Sequence, residues 1–314
     1  MAVREVTDAR LPRPGSRVNA YLHQRFPELR TTLERVTLGD GRTPVRPLSH
    51  LISACPSIWI KDDGAYGSGG WGGNKVRKLE WLLPEVRRQR RSTILTFGGL
   101  GTNWGLAATL YAAELGIHTA LALIDQPVDE HVEAQLDRLR ASGADIYLTD
   151  AIVDRHRGRV WGTVAGLHLG LTLAGLTDIQ VIGVVVNDKL RLDHRSITSL
   201  ARRAARLLQD RGAKLPSIDL PAERLTLLRD WLGPGYGHPT SQGTLALKLA
   251  RESEHLDLEP VYTAKAMAAL LDLPAHQRAA VARTGVPCCT RCRPHCYAKV
   301  GAPYPPSPSR ICTW

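Results

Sequence analysis

Long hydrophobic runs, aromatic side chains and acidic residues are all scarce in this chain of 314 residues. No apolar stretch is long enough to cross a bilayer. The chain opens with MAVREVTDARLPRPG, which is polar and lacks the apolar core of a signal peptide. We therefore expect a cytoplasmic protein that has no membrane partner.

The shortage of acidic residues gives the chain a formal charge of +11, from 41 Lys and Arg against 30 Asp and Glu. Such an excess is compatible with nucleic-acid binding. However, the arginines are scattered over predicted helices, and aromatics at 5% provide no stacking surface for single strands. We predict a solvated basic surface that attracts small anions and no nucleic-acid partner, and keep nucleic-acid binding as a weaker alternative suggested by charge alone.

Cysteine is almost absent until the end of the chain. Cys55 stands alone, and the others are Cys288, Cys289, Cys292, Cys296 and Cys312. With His295 this cluster suggests a zinc site, but structural zinc sites usually use two separated pairs of ligands. Because the cluster is compressed and interrupted by proline, we predict no metal and expect 286–314 to be an irregular tail.

Strand and helix patterns alternate between residues 58 and 149. The runs STILTFGG and IHTALALI indicate buried strands, and the segments between the strands carry apolar residues at helical spacing. This rhythm predicts an α/β protein with an open parallel sheet. We expect two domains and a tail, with a large discontinuous domain at 1–77 plus 151–285 and a small α/β domain at 78–150.

The segment GGWGGNKVRKLEWLL places Lys75 behind a glycine turn at the start of a predicted helix, 75–90. We expect Asn74 to cap this helix. The positive end of a helix disfavours an ammonium, and partial burial acts in the same direction, so the pKa of Lys75 is expected to fall. Such an amine can attack a carbonyl. Lys78 lies one turn further on the same face. The alternative interpretation is that Lys75 and Lys78 are simply two surface lysines of an amphipathic helix.

Two further helix starts are suited to anions. In FGGLGTNWG a strand ends in glycines before Thr102 and Asn103, and in WGTVAG a helix follows Gly162 and Thr163. Backbone N–H groups at such starts bind anions. Helix capping alone explains the same residues equally simply.

Two tyrosines lie beside turns in the C-terminal half. Tyr236 is in the glycine- and proline-rich GPGYGHPT, and Tyr262 precedes a helix in EPVYTAKAM. Phenols held in this way can face a cleft, although buried tyrosines more often only pack and satisfy one hydrogen bond.

Together these motifs resemble the 1-aminocyclopropane-1-carboxylate (ACC) deaminase and D-cysteine desulfhydrase family. GGNKVRKLEWLLPE resembles its lysine motif, and GGLGTNWG, GTVAGL, GYGHPT and EPVYTAKAM resemble its later blocks in the same order. The match covers about 40–150 and 162–273. The resemblance implies the two-domain, tryptophan-synthase-β-like fold type II, a pyridoxal 5'-phosphate cofactor, a small amino-acid substrate and, as an option, a homodimer.

The resemblance also implies roles for the residues that match the cofactor motifs. Lys75 would hold the cofactor covalently and later take the α-proton of the substrate, and Lys78 would face the phosphate. Asn103 would hydrogen-bond the ring hydroxyl, and Gly162 and Thr163 would be what remains of the phosphate cup.

On the substrate side, the family implies Thr102, Tyr236 and Tyr262 as catalytic residues. Thr263 stands where desulfhydrases tend to have Ser or Thr, and Thr284, an implied cofactor contact, agrees with the same side of the family. The implied reaction is an α,β-elimination that gives pyruvate, ammonia and hydrosulfide, with ACC-deaminase-type activity as the alternative.

Three departures from the family keep another interpretation open. The segment 150–162 is shorter than in the family by one or two β–α units, the phosphate loop has lost glycines at Arg159, Val160 and Trp161, and the closing block dissolves after Gly285. Side chains at such a loop hinder close approach of the backbone to phosphate. A non-catalytic, truncated or frame-damaged remnant of the family is therefore the second hypothesis.

Overall fold

The computed structural model describes most of the chain, namely residues 20–39, 42–52, 58–67, 73–149, 162–188, 192–273 and 310–313. Its helices are α1 (Tyr21–Arg25), α2 (Leu29–Thr32), α3 (Asn74–Arg88), α4 (Asn103–Ala113), α5 (Glu130–Ala141), α6 (Gly162–Leu173), α7 (His194–Asp210), α8 (Ser241–Glu254) and α9 (Thr263–Asp272). Its strands are β1 (Val45–Pro47), β2 (Trp59–Lys61), β3 (Thr93–Gly99), β4 (His118–Ile124), β5 (Asp145–Leu148), β6 (Ile179–Val184), β7 (Leu225–Leu228) and β8 (Arg310–Thr313).

The predicted alternation of strands and helices is confirmed from β3 to β5. These strands form a parallel sheet in the order β3-β4-β5, with Thr93 opposite His118 and Ala120 opposite Asp145. The intervening helices end at glycines with positive φ, Gly116 after α4 and Gly143 after α5. Glycine adopts this conformation without the steric penalty of a Cβ, which explains where both helices stop.

A second parallel sheet has the order β7-β6-β8, and β1 pairs with β2 in an antiparallel ribbon. In the second sheet, Val181 of β6 lies opposite Leu225 of β7 and opposite Cys312 of β8. The tail that we expected to be irregular therefore contains a strand at its end. Its other residues, including the remaining clustered cysteines, lie outside the described part.

The chain divides into two compact units, one containing 1–42 with 65–150 and the other 43–64 with 151–314. We call them unit 1 and unit 2. The boundary that we expected between residues 77 and 78 falls inside the continuous helix α3, because the stripe of apolar residues in α3 runs past that point into the core of unit 1. The division of the chain into functional domains stays a prediction.

The core of unit 1 lies between α3, α4 and one face of the β3-β4-β5 sheet. It includes Val76, Leu79, Leu83, Ala108 and Tyr111, all at most 1% exposed. The apolar residues of α3 recur every three or four positions, so they fall on one face of the helix and pack together there. This packing fixes the start of α3.

Unit 2 has two apolar clusters. One joins α6, α7 and β6 through residues such as Ile197, Ala201 and Val181, each 0% exposed. The other joins α8, α9 and the β1–β2 ribbon and includes Ile60, Ala250 and Leu270. The second cluster fixes the start of α9, where Tyr262 lies. Within the described segments, no helix combines the length and the apolar composition needed to cross a bilayer.

Candidate functional site

The start of α3 is set by a glycine and not by an asparagine. Gly73 is the N-cap, with φ 90° and ψ −167°, and its N–H donates to the Tyr66 carbonyl at 2.6 Å. Asn74 is the first helical residue, so the prediction that its side chain caps the helix is wrong. The positive φ at the cap favours glycine over asparagine. Lys75 follows in the first turn and is half-buried.

Positive charge is concentrated at this helix start. Residues 74–78 at the start of α3 include Lys75, Arg77 and Lys78 and no acidic residue. Burial lowers the pKa of Lys78 below its ordinary value. Cations at the positive end of a helix are disfavoured in isolation, so this arrangement is suited to an anionic ligand that compensates them. The predicted lowering of the Lys75 pKa stays a prediction.

A buried carboxylate lies on the same helix behind these cations. Glu80 is 2% exposed, and its Oε1 accepts the Tyr66 hydroxyl at 2.6 Å and the Leu38 N–H at 3.1 Å. Its Oε2 pairs with Arg35 at 2.7 Å. The Tyr66 carbonyl binds the N–H of Gly73. Glu80 is therefore connected by two successive hydrogen bonds, through Tyr66, to the N-cap of α3.

The helix α4 starts in a tight turn after β3. The Thr102 hydroxyl accepts the Gly105 N–H at 3.1 Å, which makes Thr102 the N-cap. A Cβ at Gly98 would lie 2.4 Å from the Thr102 hydroxyl oxygen, and one at Gly105 would lie 2.5 Å from its methyl carbon. The two glycines therefore make the space that Thr102 needs.

Asn103 opens α4 at the carboxyl-terminal edge of the sheet, with its side chain exposed. Its Oδ1 accepts a hydrogen bond from Nε2 of Gln135, a residue of α5 that is only 2% exposed, at 2.9 Å. This contact orients the amide and directs its NH₂ group away from Gln135. An oriented donor is what a hydrogen bond to a ring hydroxyl requires.

The predicted helix start at Gly162 and Thr163 is confirmed as the first turn of α6. Both residues are half-buried, and the helix has 12 residues. Arg159, Val160 and Trp161, the altered positions of the phosphate loop, lie outside the described residues, as does Thr284.

The two predicted tyrosines contact each other in unit 2. The Tyr262 hydroxyl donates to the Tyr236 hydroxyl at 2.8 Å, and the rings are edge-to-face with centroids 6.1 Å apart. Burial raises the pKa of both phenols. Both hydroxyls therefore stay protonated near neutral pH, so each can serve as a hydrogen-bond donor.

A glycine-rich turn carries Tyr236. Gly233, Gly235 and Gly237 all have positive φ, which favours glycine at each position. The N–H of Tyr236 donates to Oδ1 of Asp188 at 2.9 Å. A Cβ at Gly235 would lie 3.0 Å from Oδ2 of the same carboxylate, so the glycine permits its close approach.

The start of α9 is held by Glu259, whose Oε1 accepts the N–H groups of Tyr262 and, at 3.0 Å, of Thr263. The Thr263 hydroxyl accepts the Glu259 N–H at 2.7 Å and donates to the Glu259 carbonyl at 3.2 Å. Thr263 is 5% exposed. Its hydroxyl is thus engaged in the turn, while its role in substrate specificity stays a prediction.

The predicted residues are distributed over the two units, and Tyr236 and Tyr262 are in direct contact. Unit 1 contains Lys75, Lys78, Thr102 and Asn103, and unit 2 contains Gly162, Thr163, Tyr236, Tyr262 and Thr263. Their roles toward cofactor and substrate remain predictions. Within unit 1, an amine, a second half-buried cation and an oriented amide at helix starts form a donor set that fits the aldehyde, phosphate and ring hydroxyl of pyridoxal phosphate.

Sequence reasoning missed the residues that support these groups. Gln135 binds the Asn103 amide, Asp188 binds the N–H of Tyr236, and Glu80 binds Tyr66, whose carbonyl holds the N-cap before Lys75. Only Glu80 carries a signal in the sequence, because a carboxylate is unusual among the apolar residues of a helix face. The contacts of Gln135 and Asp188 depend on tertiary packing.

Comparison with known proteins gives a consistent result. The family model described as pyridoxal-phosphate dependent enzyme matches residues 36–160. The D-cysteine desulfhydrase of Yersinia pestis (strain Pestoides F) is 28% identical over 303 residues, covering 77% of this chain and 88% of the relative. The D-cysteine desulfhydrase of Klebsiella pneumoniae (strain 342) is 29% identical over 304 residues, with coverage of 77% and 89%.

Among solved structures, the crystal structure of an ACC deaminase homologue superposes with a TM-score of 0.60 at 22% identity, covering 82% of this chain and 94% of that one. This likeness confirms the expected fold class, an α/β protein with parallel sheets. The family match confirms the resemblance that the lysine motif suggested. Residues 36–160 of this chain are thus similar to the pyridoxal-phosphate-dependent enzymes.

Proposed function

We propose that the protein is a lyase that acts on D-cysteine by α,β-elimination. D-Cysteine and water give pyruvate, ammonia and hydrosulfide in this reaction. The observation that carries the proposal is the glycine-capped start of α3, where Lys75 is followed one turn later by Lys78. The similarity to D-cysteine desulfhydrases over 77% of the chain supports the choice of substrate.

The residues proposed to hold the cofactor follow from their chemistry. Lys75 would hold the aldehyde through its amine, Lys78 would bind the phosphate, and Asn103 would donate to the ring hydroxyl. When bound, pyridoxal phosphate accepts the electron pair that is left when the α-proton departs. Gln135 orients Asn103 for its contact.

The proton transfers are assigned to residues of this chain. Lys75, as the free amine, takes the α-proton of D-cysteine. The sulfur then leaves, and its departure is easier if a proton is supplied as the C–S bond breaks. Tyr262 donates to Tyr236, so the proton of Tyr236 is the one of the pair that remains available. We propose Tyr236 as the donor to the leaving sulfur and Tyr262 as its partner.

The alternative of a non-catalytic remnant is supported by the short connection between β5, which ends at Leu148, and α6, which begins at Gly162. A remnant would bind the cofactor weakly or would not bind it. ACC-deaminase-type activity is distinguished by its product, because opening of the cyclopropane ring gives 2-oxobutanoate and not pyruvate.

The test is to supply the purified chain with pyridoxal phosphate and to measure product from D-cysteine, L-cysteine and ACC in parallel. We expect pyruvate and sulfide in equal amounts from D-cysteine, at a rate well above that from the other two. Product from ACC alone would favour the deaminase. Cofactor loading without any product, or no loading, would contradict the proposal.

A further inference from the structure

We infer that Lys265 is the positioning residue of the tyrosine pair: its buried amine holds the turn that carries Tyr236, and the helix that carries Lys265 also holds Tyr262. The inference rests on the proposed function, since it assigns a support to the residues that act on the substrate.

Burial identifies Lys265 as unusual. Its side chain is 0% exposed, whereas lysine is almost never fully buried without partners. The helix α9 that carries it also contributes Met267 and Leu270 to an apolar cluster of unit 2. Burying this amine is costly unless its hydrogen bonds are satisfied, so the position of its partners indicates what it does.

Both described hydrogen bonds of this amine go to one turn. Nζ donates to the Leu232 carbonyl at 2.7 Å and to the Gly235 carbonyl at 3.3 Å. These carbonyls lie on either side of Gly233 and directly before Tyr236. A single side chain therefore fixes both the entry to the turn and the residue that precedes the phenol.

Asp188 holds the same turn from the other side. Its carboxylate accepts the Tyr236 N–H at 2.9 Å, while Lys265 binds the carbonyl of the preceding residue, Gly235. The peptide group between Gly235 and Tyr236 is thus held at its carbonyl by Lys265 and at its N–H by Asp188. With φ of 136°, Gly235 is flexible by itself, which makes external support necessary for a defined position of Tyr236.

The sequence position of Lys265 connects the two phenols. Tyr262 is the N-cap of α9 and Lys265 lies in its first turn, so a rigid helix start fixes the first phenol directly and the second through Nζ. The hydrogen bond of 2.8 Å between the hydroxyls depends on both. Burial lowers the pKa of Lys265, and the carboxylates of Glu259 and Asp188 oppose that shift.

The test places 3-fluorotyrosine at position 236 and records its ¹⁹F resonance in the full-length protein. Lys265→Met removes the donors at similar volume and is expected to move the resonance in the direction in which Tyr262→Phe moves it. Its pH titration should also shift toward that of an exposed phenol, because Tyr236 leaves its buried position. The matched control is Lys248→Met on α8, an exposed lysine 3.8 Å from Glu252, which should leave the resonance unchanged.

If Lys265→Met does not fold, Lys265→Gln is the second variant, since its amide still donates but is too short to reach both carbonyls. Gly235→Ala, which displaces the turn from Asp188, is the positive control. An unmoved resonance in a folded Lys265 variant, alongside a moved one in Gly235→Ala, overturns the inference. A residue that contributed only stability would give that result.

Kinetics distinguish failure of this inference from failure of the proposed function. With D-cysteine, Lys265→Met should lower kcat far more than it changes KM. The double variant with Tyr236→Phe should be no slower than Tyr236→Phe alone, because both changes act through one phenol. Additive losses contradict the inference, whereas absent turnover in the wild type contradicts the proposed function and leaves the ¹⁹F result intact.

Discussion

Each unit has a buried charged side chain that supports the backbone near a predicted site residue, and these two charges have opposite sign. In unit 1, Glu80 is an anion that accepts hydrogen bonds from the Leu38 N–H, the Tyr66 hydroxyl and Arg35. In unit 2, Lys265 is an amine that donates to the carbonyls of Leu232 and Gly235. Each holds the backbone near a predicted site residue, Lys75 in one unit and Tyr236 in the other.

The sign of the buried charge follows from the groups that lie beside it in each unit. The start of α3 carries several cations, so a buried carboxylate behind it lowers the local positive charge while fixing the preceding turn. The tyrosine pair is neutral, and the carbonyls of the glycine-rich turn beside it accept hydrogen bonds from the buried Lys265 amine. In both units the buried charge supports the site without taking part in its chemistry.

The largest effect is expected from removing the anion of unit 1. Glu80→Ala leaves Arg35 and the Tyr66 hydroxyl without their buried partner, so the free energy of unfolding should fall by about 3–5 kcal/mol. Urea denaturation followed by circular dichroism measures this loss. Glu85→Ala on the same helix removes a more exposed partner of Arg88 and should lower the free energy of unfolding much less, because exposed ion pairs contribute little. Equal losses of unfolding free energy in the two variants would contradict a supporting role for the buried Glu80 carboxylate.

Next in size is the effect of breaking the tyrosine pair. Tyr262→Phe removes the hydrogen bond to Tyr236 and should reduce kcat for D-cysteine roughly 100-fold, in the range of lost acid–base assistance. Tyr147→Phe alters a phenol that is 57% exposed on β5 and should leave kcat unchanged. A wild-type rate in Tyr262→Phe would exclude the pair from the reaction.

A smaller effect is expected at Gln135. Gln135→Leu removes the contact that orients Asn103, a loss of about 1 kcal/mol, so pyridoxal phosphate should bind about 5-fold more weakly. Fluorescence titration with the cofactor measures the change, with Gln209→Leu, on the exposed side of α7, as the control. Unchanged affinity in Gln135→Leu would separate Asn103 from cofactor binding.

The smallest expected effect is a pH dependence of the free energy of unfolding that arises from a histidine in unit 2. His168, 1% exposed in α6 of unit 2, has its pKa lowered by burial and by the Arg224 charge. An unfolded histidine binds a proton near pH 6.5 while the folded one resists it, so this residue lowers stability as pH falls below about 6.5. His168→Leu should flatten the decline in unfolding free energy between about pH 7 and 5. A decline unaltered by His168→Leu would refute this assignment.

Apolar patterns predicted α3, the strands β3 and β4 and the helices between the strands of unit 1, and sequence motifs predicted the helices that begin at Gly162 and after Tyr262. The short strand β7 (Leu225–Leu228) and the strand β8 (Arg310–Thr313) were missed, since their pairing depends on β6 far away in sequence. Motif order predicted Lys75 and the tyrosines. Lys265 and Gln135 were missed because only tertiary packing reveals their partners.

The most direct test of the central claim is to locate the cofactor on the chain. The protein is loaded with pyridoxal phosphate, reduced with borohydride and digested, and the labelled peptide is sequenced by mass spectrometry. We predict a phosphopyridoxyl group on Lys75 alone and loss of the visible absorbance of the loaded protein in Lys75→Ala. A label on Lys78 or Lys265, or an unchanged absorbance in Lys75→Ala, would contradict the account.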